Sequence, residues 1–220
     1  MIKKINSIIV NNNFISKQTE IDIKDNSFSE LMNIYSLAMR ETERKIENIK
    51  KHVNNIYDYE LINHITCRLK TPESIMKKMK KKKYDLNYEE LVNNVNDIAG
   101  IRIICPLKSD IFKVREIIEK VTDMQIIKEK DYITNPKKSG YSSYHIIVKT
   151  PIIYNGEKLF VKVEIQIRTM AMDFWATFEH KTKYKTNKNI PANVSKKLVR
   201  YAKMLNSIEN KMIKLYESNK

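Results

Sequence analysis

Glycine and proline are scarce in this chain of 220 residues, numbering 3 and 5. That excludes a linker-like or low-complexity polymer and confines disorder to the ends and short loops. Only 2 cysteines occur, Cys67 and Cys105. They lack the density of a secreted disulfide scaffold and the paired spacing of a zinc site, so both read as reduced, buried packing residues. No apolar run approaches the ~20 residues of a membrane-spanning helix. The opening segment carries Lys3 and Lys4 before a short apolar run that ends at Asn11; it has neither the length nor the small-residue cleavage site of a secretory signal. A cytoplasmic location away from the membrane is expected. The length suits one domain, 1–220, and is short for two.

What the chain has in quantity is positive charge: 41 Lys and Arg against 26 Asp and Glu, a formal net charge of +15. Such an excess concentrates polyanions, whether nucleotides, nucleic acid or acidic lipid. Charge alone does not choose among them. An AT-rich coding sequence would produce the same lysine excess on a solvated surface.

Apolar residues at Phe28, Met32, Tyr35, Met39, Thr42, Ile46, Ile49, Val53 and Ile56 alternate steps of four and three, the seam of a long amphipathic helix over about 28–57. Ser27 would cap it, with Glu30 completing a capping box. A second seam, Val194, Leu198, Tyr201, Leu205, Ile208, Met212 and Leu215, follows Pro191 and predicts a helix over about 191–218. Both seams exceed three turns, so self-association joins intramolecular packing as an expectation. Between them, strands are expected near 61–69, 101–105, 124–127, 143–150 and 159–168, with helices after Pro72, from Lys108 and over 170–183. This is an α/β (α+β) pattern around a mixed sheet of about five strands, its core spanning about 61–183. Asn155-Gly156 marks a type I′ hairpin turn, which makes the last two strands adjacent and antiparallel.

Candidate chemistry lies on that core. From Val161 to Arg168 the branched apolar residues share one strand face, and Lys162, Glu164, Gln166 and Arg168 share the other. Alone this is an ordinary solvent face. Asp97, ahead of the strand with Arg102, is a hard oxygen ligand suited to Mg²⁺. By parity the two would face opposite sides, and Gly100 suits a turn or bulge before Ile101 that would bring both into one cleft. The segment from Asp131 to His145 has turn chemistry, lysines and an aromatic beside a glycine, able to bring cations to phosphate and a ring to a base. Arg68 and Lys70 precede a helix start and a cationic turn with Lys77 and Lys78, a natural phosphate site; Lys80 to Lys83 read as a solvated face.

In order, Arg68-x-Lys70-x-Pro72-x-Ser74-Ile75, Asp97-x-Ala99-Gly100-x-Arg102, Pro136-Lys137-x-x-Gly140-Tyr141-x-Ser143-x-His145 and Glu164-x-Gln166-x-Arg168-Thr169 resemble the synthetase domain of the Rel/Spo alarmone enzymes. Asp173-Phe174-Trp175-Ala176 and Glu179-His180 extend the likeness, which is to the small single-domain members. The resemblance implies a nucleotidyltransferase-like fold and transfer of pyrophosphate from ATP to the 3′-hydroxyl of a guanine nucleotide. It implies that Asp97 and Glu164 hold Mg²⁺, or Mn²⁺ in its place, with Glu164 also activating the acceptor. Arg68 and Arg102 would sandwich adenine. Lys70, Lys78, Lys130, Lys137 and His145 would meet phosphates, and Tyr141 would stack on guanine beside Ser139 and Gln166. A homotetramer is implied as well.

Ser139 and Ser142 depart from the long enzymes' usual Asn and Arg, which leaves GMP, GDP and GTP open as acceptors. His64 and Asp173 depart from the aromatic and amide with which some small members bind product as an activator, although Thr66 matches. The rival reading is a non-catalytic RNA-binding module, favoured by charge and the tyrosine-rich loop but without a motif of its own. Asp97 and Glu164 would repel its phosphates unless a metal joined them.

Overall fold

The computed structural model describes residues 9–10, 13–14, 20–54, 59–120, 123–185 and 191–218. Two short strands, β1 (Ile9–Val10) and β2 (Asn13–Phe14), precede the long helix α1 (Asn26–Asn54). Then follow β3 (His64–Leu69), α2 (Pro72–Lys82), α3 (Tyr88–Asn94), β4 (Ala99–Cys105), α4 (Lys108–Glu119), β5 (Gln125–Asp131), β6 (Tyr144–Tyr154), β7 (Glu157–Thr169), α5 (Met170–Lys185) and α6 (Ala192–Ser218). The five-stranded sheet has the order β3-β4-β7-β6-β5. Its one parallel pair is β4 with β7. The fold is the expected mixed sheet flanked by helices, with the short helix α3 added.

The β6–β7 hairpin turns at Asn155 and Gly156, both at positive φ (50° and 79°), as a type I′ turn requires. Alternation in β7 then sets the two faces of the sheet. Val161, Val163, Ile165 and Ile167 are buried, and α1 and α4 pack against the sheet over this face. Glu164, Gln166 and Arg168 line the other.

The apolar face of α1 is wider than the seam in the sequence. Leu31, Ile34 and Ala38 are buried with Phe28, Tyr35, Ile46, Ile49 and Val53, while Met32 and Met39 lie at its margin; Ile56 is outside the described residues. The helix starts at Asn26, so Ser27 lies inside it rather than capping it, and Glu30 accepts the Tyr154 hydroxyl at 3.0 Å. α6 differs more. Leu198 is buried, but Tyr201, Ile208, Met212 and Leu215 remain exposed, because α6 touches the rest of the chain mainly through α5. Cys67 and Cys105 are free, and burial pushes both thiols up, Cys67 to about 12 with help from nearby Glu43. Cys105 is the buried packing residue expected, whereas Cys67 packs against the core but is only partly buried.

One polar contact fastens α1 to the sheet. The Thr42 hydroxyl, fully buried, reaches Ala38 O at 2.8 Å and the buried Thr150 hydroxyl at 2.6 Å. Thr42→Val should lower unfolding free energy by about 1–3 kcal/mol, because the Thr150 hydroxyl loses its partner. Adding Thr150→Val should recover much of the loss. Chemical denaturation of the two singles and the double checks this, and additive losses would contradict the pairing.

A second tie joins α4 to β5 and β6. Arg115 Nε and Nη2 donate to Glu129 at 3.0 and 2.6 Å, and the Tyr144 hydroxyl adds a bond of 2.6 Å. The bond from Arg115, aided by Tyr144 and outweighing burial, holds the Glu129 carboxyl below its usual range. A lowered folded value means the stabilisation is complete above the unfolded value of about 4.3 and disappears as pH falls through the folded one. Glu129→Gln should therefore reduce the melting temperature at neutral pH, and its deficit against the parent protein should close below about pH 4. Melting curves between neutral pH and the acid limit measure it.

Candidate active site

The open face of the sheet carries two adjacent rungs. Register aligns Thr66, Arg102, Gln166, His145 and Lys130 across all five strands, and beside them Arg68, Gly100, Glu164, Ile147 and Lys128. Side chains paired across a ladder share a face, so residues far apart in sequence stand within one cleft.

Asp97 enters this cleft by the turn, one of the two devices expected before Ile101, and not by a bulge. Pairing of β4 with β7 is continuous from Ala99 to Cys105, and Asp97 sits in the turn just before the strand, where strand parity does not bind it. Lys70 Nζ donates to its Oδ2 at 2.9 Å and Lys78 Nζ to its Oδ1 at 2.7 Å. Lys70 follows β3, and Lys78 projects from α2, whose start is set by Thr71 accepting the Ser74 N–H at 3.3 Å ahead of Pro72. Burial pushes the Asp97 carboxyl up, but the bonds and charges of Lys78 and Lys70 outweigh it and hold it below the usual range. Lys80 to Lys83 stay exposed, as expected.

Across the cleft, Glu164 accepts from His145 Nδ1 at 3.2 Å and from Gln166 Nε2 at 2.7 Å. Burial again acts upward, yet the bonds from His145 and Gln166 prevail over it and over the Asp97 charge, so the Glu164 carboxyl is held below its usual range. Gly100 forms the floor between Arg68 and Glu164. A Cβ there would meet only Arg68 O at 3.6 Å and Glu164 O at 4.0 Å, which is ordinary contact. The backbone does not demand glycine; the missing side chain keeps the floor clear. Among the described residues no three His, Cys, Asp or Glu side chains cluster as a metal cage. Asp97 and Glu164, near enough for the charge of one to act on the other, fit an Mg²⁺ that takes its other ligands from phosphate and water.

The loop from Tyr132 to Ser143 folds back on itself, with Lys137 N donating to Tyr141 O and Gly140 N to Lys137 O at 3.0 and 2.8 Å. Lys137 Nζ lies 4.5 Å from the Tyr132 ring centre and 4.6 Å from that of Tyr141, a cation–π clamp. Tyr132 also meets His145 edge-on at 5.3 Å. Gly140 at φ +90° faces α6, with Ala202 and Trp175 closest. Ser139 is half-exposed on this loop and Lys130 is exposed at the outer end of its rung. Ser142 lines a crevice with Ala171, Trp175 and Ala202.

A model of the region found in RelA / SpoT proteins matches residues 67–189. The chain belongs to the RelA/SpoT family. GTP pyrophosphokinase YwaC of Bacillus subtilis is 38% identical over 180 residues, covering 82% of this chain and 86% of that one. The structure of small alarmone synthetase 1 from Bacillus subtilis bound to its product pppGpp superimposes with a TM-score of 0.82 at 34% identity, over 88% of this chain and 98% of that one. The same enzyme bound to AMPCPP gives 0.75 at 31%, with the same coverage. This chain has the fold of the small alarmone synthetases.

Arg168 and Asp173, to which the sequence reading gave no catalytic or substrate-binding role, stand behind the cleft of this family member. Arg168 is buried, and Asp173 Oδ1 accepts from Arg168 Nη1 at 2.9 Å and lies 3.1 Å from Arg102 Nη1. The period-two face already aligned Arg168 with Glu164 and Gln166. Its burial could not be read there, because α5 supplies the cover and the counter-charge.

Proposed function

We propose that this cleft binds ATP and a guanine nucleotide side by side and transfers the pyrophosphate of ATP to the acceptor 3′-hydroxyl, as a GTP/GDP diphosphokinase of alarmone synthesis. The observation that carries the reading is a pair of carboxylates close enough for one charge to act on the other, Asp97 held by Lys70 and Lys78 and Glu164 by His145 and Gln166. Such a pair suits phosphoryl chemistry, in which positioning and charge stabilisation supply most of the rate.

Arg68 and Arg102 bind the adenine side, and Lys70 and Lys78 bind the triphosphate. Tyr141 receives the guanine, Gln166 and Ser139 adjoin it, and Lys130, Lys137 and His145 meet phosphate. The acceptor oxygen attacks the β-phosphorus, the bond from that phosphorus to the α,β-bridging oxygen breaks, AMP leaves, and the hydroxyl proton passes to Glu164. Asp97 and Glu164 would hold Mg²⁺, or Mn²⁺ in its place, which when bound neutralises phosphate charge and acidifies the hydroxyl.

Among the described residues no helix is long and apolar enough to cross a membrane, in keeping with a cytoplasmic enzyme. The exposed Phe174 and Phe178 of α5 and the exposed stripe of α6 support assembly as a homotetramer. Beyond net charge and the tyrosine-rich loop, neither the cleft nor the relatives add support for the RNA-binding alternative.

The test is incubation with Mg²⁺, ATP and, separately, GMP, GDP and GTP. AMP and a 3′-pyrophosphorylated guanine species are expected by chromatography, and the best acceptor defines the preference that Ser139 and Ser142 leave open. Absence of both products with all three acceptors would overturn the reading.

A further inference from the structure

Arg168 is only 5% exposed, a costly place for a guanidinium unless its donors are used. All three of its nitrogens are engaged. Nε donates to Ser143 Oγ at 3.3 Å and Nη1 to Asp173 Oδ1 at 2.9 Å. Nη2 donates twice, to the Tyr141 hydroxyl at 2.6 Å and to Gln166 Oε1 at 2.7 Å.

Those two bonds lead to the same place. Gln166, with Oε1 turned to Arg168, presents Nε2 to Glu164 Oε2 at 2.7 Å. The Tyr141 oxygen accepts from Arg168, which leaves its own proton to donate to His145 Nε2 at 2.8 Å. His145 then carries its proton on Nδ1 and donates to Glu164 Oε1 at 3.2 Å. Each link is oriented by the one before it, and both arms end on the two oxygens of one carboxylate.

We propose that Arg168 is a positioning residue for Glu164, acting from behind the cleft through Gln166 on one arm and Tyr141 with His145 on the other. The two arms set the Glu164 rotamer, the direction of the Gln166 amide and the tautomer of His145. Without Arg168 the Gln166 amide is free to turn its oxygen toward the carboxylate, which repels it, and Tyr141 loses the bond that aims its proton at His145. Asp173 anchors the guanidinium from α5 and, shared with Arg102, ties this unit to the adenine side. The inference rests on Glu164 being the base that receives the acceptor proton.

The test compares Arg168→Gln and Tyr141→Phe with the wild-type full chain by steady-state AMP release, together with calorimetric binding of AMPCPP. Displacing a base by about an ångström costs about 10²-fold. Arg168→Gln should lose that much in kcat, and Tyr141→Phe, which removes one arm and keeps the ring, about tenfold. AMPCPP affinity and stoichiometry should stay within about twofold, which separates positioning from a loss of folded protein. A kcat for folded Arg168→Gln within about threefold of wild type would overturn the inference. So would a loss of kcat matched by a proportional loss of AMPCPP sites. Should Arg168→Gln not fold, Tyr141→Phe decides, and an unchanged kcat there overturns it. Failure of the underlying reading looks different: wild-type protein would itself release no AMP with any acceptor.

Discussion

Glu164→Gln will abolish measurable turnover, lowering AMP release by at least about 10³-fold, and will leave the thermal unfolding curve close to that of the wild type. Glutamine matches the carboxylate in shape and can still accept one of the two hydrogen bonds now made by His145 and Gln166. It cannot take a proton or oppose the charge of a divalent ion. A positioned base alone contributes about 10²–10⁴-fold, and the loss of a metal-facing charge compounds it. Activity retained within tenfold would remove Glu164 from the proposed mechanism. A collapse of the fold would instead mean that the carboxylate is structural. Chromatographic AMP release and a melting curve on the same preparation separate these outcomes.

Gly140→Ala will strike the acceptor side. Gly140 occupies φ +90°, and a Cβ would stand 2.6 Å from the Ala202 Cβ, with Trp175 Cζ2 at 3.4 Å and Val199 Cα at 3.5 Å. Backbone strain of this kind costs about 1–3 kcal/mol before any collision is counted. The overlap must then be relieved by moving the loop off α6. Tyr141 is the next residue, so that movement displaces the ring proposed to receive guanine. The acceptor KM should rise about tenfold or more, the equivalent of about 1.4 kcal/mol, while the ATP KM changes little. Ala202→Gly added to Gly140→Ala removes the collision and keeps the strained φ, so it should restore part of the acceptor affinity. Equal impairment with and without Ala202→Gly would place the defect in the backbone conformation alone.

The two predictions concern residues of very different legibility. Glu164 was legible through the motif it shares with the RelA/SpoT synthetases; spacing made it the one acid on that face of β7, which alone reads as an ordinary polar strand face. Asp97 was recognisable as a candidate, and so was its route to the cleft, as a turn or a bulge before Ile101. The structure has the turn, ahead of β4, and no bulge. Gly140 was visible as a turn glycine, whereas its need to be glycine comes in part from Ala202, 62 positions along the chain. Arg168 carried the right periodicity and the wrong expected environment: a cation on a polar strand face reads as solvated until α5 brings Asp173 to it. The α6 seam shows the converse. Its period is helical, as expected, yet Tyr201, Met212 and Leu215 find no cover among the described residues.

By itself the sequence determined the two long helices, the Asn-Gly hairpin, the polar face of the last strand and the four motifs that mark a RelA/SpoT synthetase. These depend on backbone periodicity, on turn chemistry or on residues close together in the chain. Tertiary structure decided which rungs of the sheet align, how Asp97 and Glu164 come to face one floor, and that Arg168 is buried behind them. It also seated the Gly140 loop on α6. The physical reason is that burial and hydrogen-bond satisfaction belong to surfaces built by distant segments, and local pattern carries no record of which segment closes over which.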